Sequence, residues 1–121
     1  MNCPCNPNKL YEDCCKKAHK NINDVNSAEQ LMRSRYSAFV LADIKYLKKS
    51  HHNSTQLSKK GYQELENWTK SIKWVKLEIL NFKENLVEFK AHFIENGNLN
   101  SIHENSFFCK ENNYWVYLKA K

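Results

Sequence analysis

Cys3, Cys5, Cys14 and Cys15 place four of the chain's five cysteines within its first fifteen residues, in the pattern C-x-C-x8-C-C. Two thiol pairs joined by a short loop suit a tetrahedral ion. Zinc in a closed structural site takes four soft ligands, and it supplies the folding energy that so short a segment cannot draw from hydrophobic burial. Adjacent Cys14 and Cys15 would diverge by about 100° inside a regular helix, so both reach one ion only where a helix starts or the chain turns. His19 stands four residues after Cys15 and is the substitute ligand should one cysteine stand aside, with Cys15 the first choice. Disulfides and redox-active thiols are the other two readings. Structural disulfides belong to oxidising compartments, and Met1-Asn2-Cys3-Pro4-Cys5 carries no basic and apolar leader, so zinc is the expected cofactor and the cytoplasm the expected compartment. Cys109, alone in an aromatic stretch, reads as a small buried hydrophobe.

The elements that must hold such a site follow from periodicity. Ser27 is an N-cap with Gln30 at the third helical position, and Ala28, Leu31, Met32, Tyr36, Phe39 and Val40 then recur at three- and four-residue spacing, which predicts an amphipathic helix of about four turns. Residues 44–49 form a short second helix and 57–68 a third, with Tyr62, Leu65 and Trp68 inward. From Ile72 the period becomes two. Val75, Leu77 and Ile79 alternate with Trp74, Lys76 and Glu78, and Val87, Phe89, Ala91 and Phe93 alternate with Glu88, Lys90 and His92. Turn residues at 83–85, 95–98 and 111–113 break these strands into consecutive hairpins. Helices first and an antiparallel sheet afterwards give an α+β fold.

At 121 residues the chain has room for one small domain and a short appendage, divided at residues 1–22 and 23–121, and no window approaches the roughly 20 apolar residues of a membrane span. Its hydrophobic content of 41% suffices for a core.

Two resemblances stand out. Cys3-Pro4-Cys5-Asn6-Pro7-Asn8-Lys9-Leu10-Tyr11-Glu12-Asp13-Cys14-Cys15 resembles the SEC-C zinc motif, with Asn6-Pro7-Asn8 in place of Gly-Ser-Gly. Asparagine tolerates the left-handed conformation that glycine would supply. Ser27-Ala28-Glu29-Gln30-Leu31-Met32-Arg33-Ser34-Arg35-Tyr36-Ser37-Ala38-Phe39, with His103-Glu104-Asn105-Ser106-Phe107-Phe108 and Tyr114-Trp115-Val116-Tyr117, resembles the YchJ-like family. That resemblance implies a nuclear transport factor two-like cone, a curved antiparallel sheet packed with helices behind an N-terminal zinc knuckle. It implies no established molecular activity.

In such a cone the open end is a small-molecule pocket. Polar candidates for it are Arg33, Arg35 and Tyr36 on the first helix, His92, His103 and Glu104 on strands, and the loop residues His51 and His52. Histidine near a carboxylate could move protons, and arginine binds carboxylate or phosphate. His103 and Glu104 are neighbours on a strand and so point to opposite faces, which weakens a dyad built from them. An ion pair fastening helix to sheet is the competing reading for Arg33, Arg35 and Glu104. No nucleophile motif, phosphate loop or dinucleotide fingerprint is present, and the balance leans away from an enzyme.

Two functions therefore compete: a module whose basic knuckle (Lys9, Lys16, Lys17, His19, Lys20) docks a protein or ribosomal partner, and a pocket that binds or transforms a small molecule. A deep, partly apolar cavity with converging Arg and His side chains would favour the second. The net charge of +6 drops to +4 once four thiolates hold a dication, and with no recognition-helix pattern this leaves sequence-specific DNA disfavoured. An exposed Trp74, Trp115 or Tyr117 would suit a homodimer across the open sheet face.

Overall fold

Ser27 has an extended backbone (φ −154°, ψ 162°) and its hydroxyl accepts from the Gln30 amide, so a helix starts where the S-x-x-Q pattern places it. The Gln30 side chain reaches back to the Asn26 amide at 2.7 Å, one residue earlier than the usual box. In this computed structural model, which describes residues 1–121, that helix is α2 (Ala28–Val40). Before it come a ribbon of β1 (Asn2–Cys3) and β2 (Asn6–Leu10) and the short α1 (Cys15–Lys20). After it come α3 (Ile44–Lys49), α4 (Lys59–Ser71) and a four-stranded antiparallel meander in the order β3 (Lys73–Lys83), β4 (Leu86–Glu95), β5 (Asn98–Glu111) and β6 (Tyr114–Ala120). The α+β cone with an N-terminal cysteine knuckle is the architecture observed. No helix is long and apolar enough to cross a membrane.

The hairpins follow from turn chemistry. Asn96 and Gly97 (φ 53° and 78°) join β4 to β5, and Asn112 and Asn113 (φ 55° and 69°) join β5 to β6. Paired left-handed residues make the tight turns whose twist matches that of the strands. β4 alternates as expected, with Val87, Phe89, Ala91 and Phe93 buried and Glu88, Lys90 and His92 on the outer face. β3 does not. Register shifts between Trp74 and Lys76 and between Ile79 and Asn81 reset the alternation, so Trp74 faces inward opposite Phe93 and Val75 is left 49% exposed. A bulge puts two residues against one, a displacement that period-two counting cannot detect. Tyr117 also faces inward, against Phe108, so both it and Trp74 line the interior of the cone and not its outer surface.

The largest departure is α2 itself. Leu31, Met32, Ser34, Arg35, Tyr36, Ser37 and Ala38 are all buried, covering every side of the helix. It packs on β3, β4 and β6 across the sheet's inner face, while α1 and α3 cover its other sides. Cys3, Cys5, Cys15 and Ala18 therefore belong to one apolar cluster with Leu31, Val87, Phe89 and Phe108. The knuckle is the lid of the helix and shares its core.

α2 ends with Ala42 at φ 54°, where the Asp43 amide reaches back to Ala38 O at 2.8 Å. This is the left-handed closure that usually takes glycine. Ala42→Gly is expected to stabilise the fold by about 1 kcal/mol, because a β-carbon is strained in this conformation and glycine is not. Denaturant unfolding checks it, and an unchanged or lowered midpoint would contradict it.

Candidate functional site

Cys14 has a non-helical backbone (φ −131°, ψ −112°) directly before α1, and Cys15 is the first residue of that helix. The break lets adjacent thiols converge. The Cys3 to Cys5, Cys5 to Cys14, Cys5 to Cys15 and Cys14 to Cys15 Sγ distances are 3.7, 3.5, 3.5 and 4.0 Å, and all four sulfurs lie within 4.8 Å of one another. A tetrahedron with metal–sulfur bonds of about 2.3 Å has edges of roughly 3.8 Å. The separations fit four thiolates around one ion and are far beyond the roughly 2.05 Å of a disulfide. The four cysteines can hold a metal ion.

Their surroundings prepare them for it. Cys5 is the thiol that ionises first, drawn down to about 5 chiefly by donation from Cys15 and further by Cys14, Cys3 and the charge of Arg33, against the opposing cost of burial. Burial and the Cys5 thiolate push Cys14 up to about 11, and donation to Cys5 pushes Cys15 up as well. An incoming ion therefore displaces protons, so metal retention weakens as pH falls. The buried Ser37 hydroxyl lies 3.6 Å from Cys3 Sγ. Arg33 donates to Cys5 O at 3.2 Å and pairs with Glu29 at 2.9 Å, which places it at the knuckle and outside any cavity of the cone.

His19 is not a ligand. Its Nε2 donates to Ser34 O at 2.8 Å, so its Nδ1 accepts from the Tyr11 hydroxyl at 2.6 Å, and both ring nitrogens are committed to bracing α1 on α2. A groove of about 680 Å³ runs beside the knuckle, with Lys9, Lys17 and Arg33 interleaved with Asp13, Asp24 and Glu29.

A second site lies inside the cone. Between α2, α4 and the inner sheet face is a cavity of about 290 Å³, and thirteen of its sixteen lining residues are hydrophobic, with Arg35, His51 and Glu104 the exceptions. Trp68, Trp74 and Phe39 line it and, with Phe93 behind them, pack as tilted and edge-to-face pairs with ring centroids 5.6 to 6.0 Å apart. Arg35 is 7% exposed, yet no carboxylate pairs with it. Its Nη1 donates to Leu47 O, Ser50 O and Ser50 Oγ at 3.0, 3.1 and 2.8 Å, at the C-terminal end of α3. Desolvation lowers its pKa to about 10, which leaves it charged at neutral pH. Tyr36 lines the same space, and burial lifts its pKa to about 12. Glu104 is half-buried and accepts from Ser106 Oγ at 3.3 Å.

Of the six pocket candidates, then, Arg35, Tyr36 and Glu104 face the cavity. Arg33, His92 and His103 do not. His92 and His103 lie on the outer face of β4 and β5, where they pair with Glu78 at 2.5 Å and Glu88 at 2.7 Å. Strand alternation alone puts His92 opposite Ala91 and Phe93, and it separates His103 from Glu104 as expected.

His51 is the residue that sequence reasoning undervalued. In a polar His51-His52-Asn53-Ser54 run it reads as a loop residue, but the chain there forms a single parallel bridge to β6, with Tyr117 N donating to Ser50 O at 2.7 Å and His52 N to Tyr117 O at 2.8 Å. The bridge buries His51 against the Tyr117 ring, and its Nε2 has no partner. Burial and then the Arg35 charge lower its pKa, so it is neutral at neutral pH. His52 points outward to Glu111 at 3.2 Å.

Comparison with known proteins accords with this architecture. Residues 27–120 match a family model described as the YchJ middle NTF2-like domain. A UPF0225 protein of Vibrio parahaemolyticus is 41% identical over 124 residues, covering 96% of this chain and 72% of the relative. One from Vibrio cholerae is 33% identical over 129 residues, covering 100% and 83%. Among solved structures, a SEC-C motif containing protein from Psychrobacter arcticus superposes with a TM-score of 0.80 at 34% identity, over 98% of this chain and 81% of that one. Another from Rhodopseudomonas palustris gives 0.81 at 30% identity, over 100% and 98%.

Proposed function

The chain belongs to the YchJ family, UPF0225, and we propose that this protein is a small-molecule-binding cone stapled by a structural zinc ion. The observation that carries the reading is the cavity: an apolar space of about 290 Å³, near the lower end of the roughly 300–1,000 Å³ typical of ligand sites, ringed by aromatics and holding buried Arg35 and His51. The space is partly open to solvent, and its mostly apolar lining with a few polar groups at one end is the composition of a ligand site.

Zinc is the ion we assign to Cys3, Cys5, Cys14 and Cys15, because four thiolates at tetrahedral separations favour it and the site is closed by four protein ligands, as structural sites are. Its role is to hold α1 and the N-terminal ribbon on α2. A four-thiolate zinc site of this kind is compatible with a reducing compartment, where structural disulfides are rare, and we place the protein in the cytoplasm on that chemistry. Protein purified without added metal should carry close to one zinc per chain; metal near zero with four titratable thiols would overturn the assignment.

Fragment binding tests the pocket. Neutral aromatics such as phenylacetamide, indole and p-cresol, at millimolar concentration, should shift the amide resonances of Phe89 and Ala91 and the indole N–H signals of Trp68 and Trp74, leaving Trp115 unmoved. Ala91→Leu, which fills the space, should remove the response. If no fragment shifts these signals, the pocket reading is wrong.

Partner docking is the second reading, and the groove of about 680 Å³ beside the knuckle favours it. Its alternating charges suit a protein surface of mixed sign better than the uniform phosphates of nucleic acid. Lys17→Glu with Lys9→Glu should then weaken association with a purified partner while leaving fragment binding intact.

A further inference from the structure

The identity of the cavity's ligand is written in its one charged donor. Arg35 carries five N–H groups, of which the two on Nη1 are spent on the carbonyls and hydroxyl at the end of α3. The other three meet no acceptor in the protein. Tyr117 lies under the guanidinium at 5.0 Å and holds it in place without satisfying those donors. A buried arginine is ordinarily paired with a carboxylate, since a charge taken out of water needs both a counter-charge and hydrogen bonds. None is supplied here: the salt bridges of this chain involve Arg33, Lys70 and three histidines, and Arg35 is in none of them. At the same polar end of the cavity His51 Nε2 is buried and has no hydrogen-bond partner. Both residues line the same space.

We propose, resting on the pocket reading, that the cavity takes a small amphipathic monocarboxylate, accepting from the free N–H groups of Arg35 and from His51 in the tautomer protonated at Nε2, with its apolar body among Trp68, Trp74 and Phe89. A carboxylate matches the planar fork of a guanidinium and supplies the direct pairing that Glu104, which lines the same cavity without an ion pair to Arg35, does not. A phosphate ester matches less well. The lining holds a single formal positive charge, Glu104 adds a negative one, and the other fourteen residues, thirteen hydrophobic ones and His51, give a dianion little to compensate its desolvation. The cap on α3 explains why an arginine sits at this position, but it accounts for only one nitrogen of the guanidinium.

The experiment compares phenylacetate with its neutral isostere phenylacetamide and with phenyl phosphate, by resonance shifts and quenching of tryptophan fluorescence, on the intact metal-loaded chain. Phenylacetate should bind at least about tenfold more tightly than the amide, the gain expected of a charge-assisted bidentate contact. Phenyl phosphate should not exceed it. Arg35→Met should reduce the acid-to-amide ratio to about one while amide binding persists. Since Arg35 also caps α3, that variant can fail to fold, in which case the wild-type ratio and the variant His51→Phe, with a severalfold loss for the acid alone, decide. Equal binding of acid and amide would overturn the carboxylate assignment and leave the pocket intact, as would tighter binding of phenyl phosphate. Failure of all three probes, with the neutral fragments also silent, would overturn the pocket itself.

Discussion

With the proposed zinc at the four cysteines, Cys5→Ser is expected to abolish metal binding and to cost at least about 4 kcal/mol of stability, lowering Tm by roughly 15 °C or more. Cys5 Sγ is the hub of the cluster, within 3.7 Å of the other three sulfurs, and a serine hydroxyl is a poor replacement for a thiolate ligand. A structural zinc supplies on the order of 10 kcal/mol of binding free energy to a site that does not exist in the unfolded chain, against a total stability of about 5–15 kcal/mol for a domain. In an isolated knuckle the loss would stop at the knuckle. Here Cys3, Cys5, Cys15 and Ala18 are buried in the same cluster as Leu31, Phe89 and Phe108, so releasing the lid exposes the back of α2 and the loss reaches the sheet. Metal content and thermal unfolding followed at far-UV and near-UV wavelengths check this. A variant without metal that melts at the wild-type temperature would contradict the shared core.

Trp74→Ala should cost about 3–5 kcal/mol, the range for deleting a large aromatic from a packed site. Trp74 touches Tyr36, Phe39, Trp68 and Phe93 at ring-centroid distances of 5.6 to 6.0 Å. Its indole N–H donates to Thr69 Oγ1 at 3.0 Å, and that hydroxyl donates to Phe39 O at 2.7 Å. One side chain thus ties α2, α4 and the sheet together while forming a wall of the cavity. Trp74→Phe, which keeps most of the packing and loses the N–H, should cost about 1–2 kcal/mol. Phe82→Ala, at an aromatic that stands 58% exposed near the end of β3, should cost less than about 1 kcal/mol. If Trp74→Ala and Phe82→Ala proved equally mild, the inward placement of Trp74 would be wrong.

That placement illustrates where sequence reading fails. Trp74 and Val75 exchange faces because of a bulge, and a bulge arises from how β3 fits β4, a relation between strands some twenty residues apart. Likewise the polar run at His51 is locally a loop by every composition rule. Only its bridge to Tyr117, far along the chain, turns it inward. His92 and His103 had the right chemistry on the wrong face.

The sequence by itself determined the cysteine quartet and its tetrahedral donor set, the capped helix at Ser27, the asparagine-rich hairpin turns and the α+β order, because each depends on residues close together in the chain whose types admit few local conformations. Tertiary structure alone decided that the knuckle shares a core with α2, that His19 braces instead of ligating, and that Arg35 and His51 converge on one cavity while Arg33, His92 and His103 do not. Burial and convergence depend on which surfaces meet when the sheet curls around its helices, and no local pattern encodes the far side of that contact.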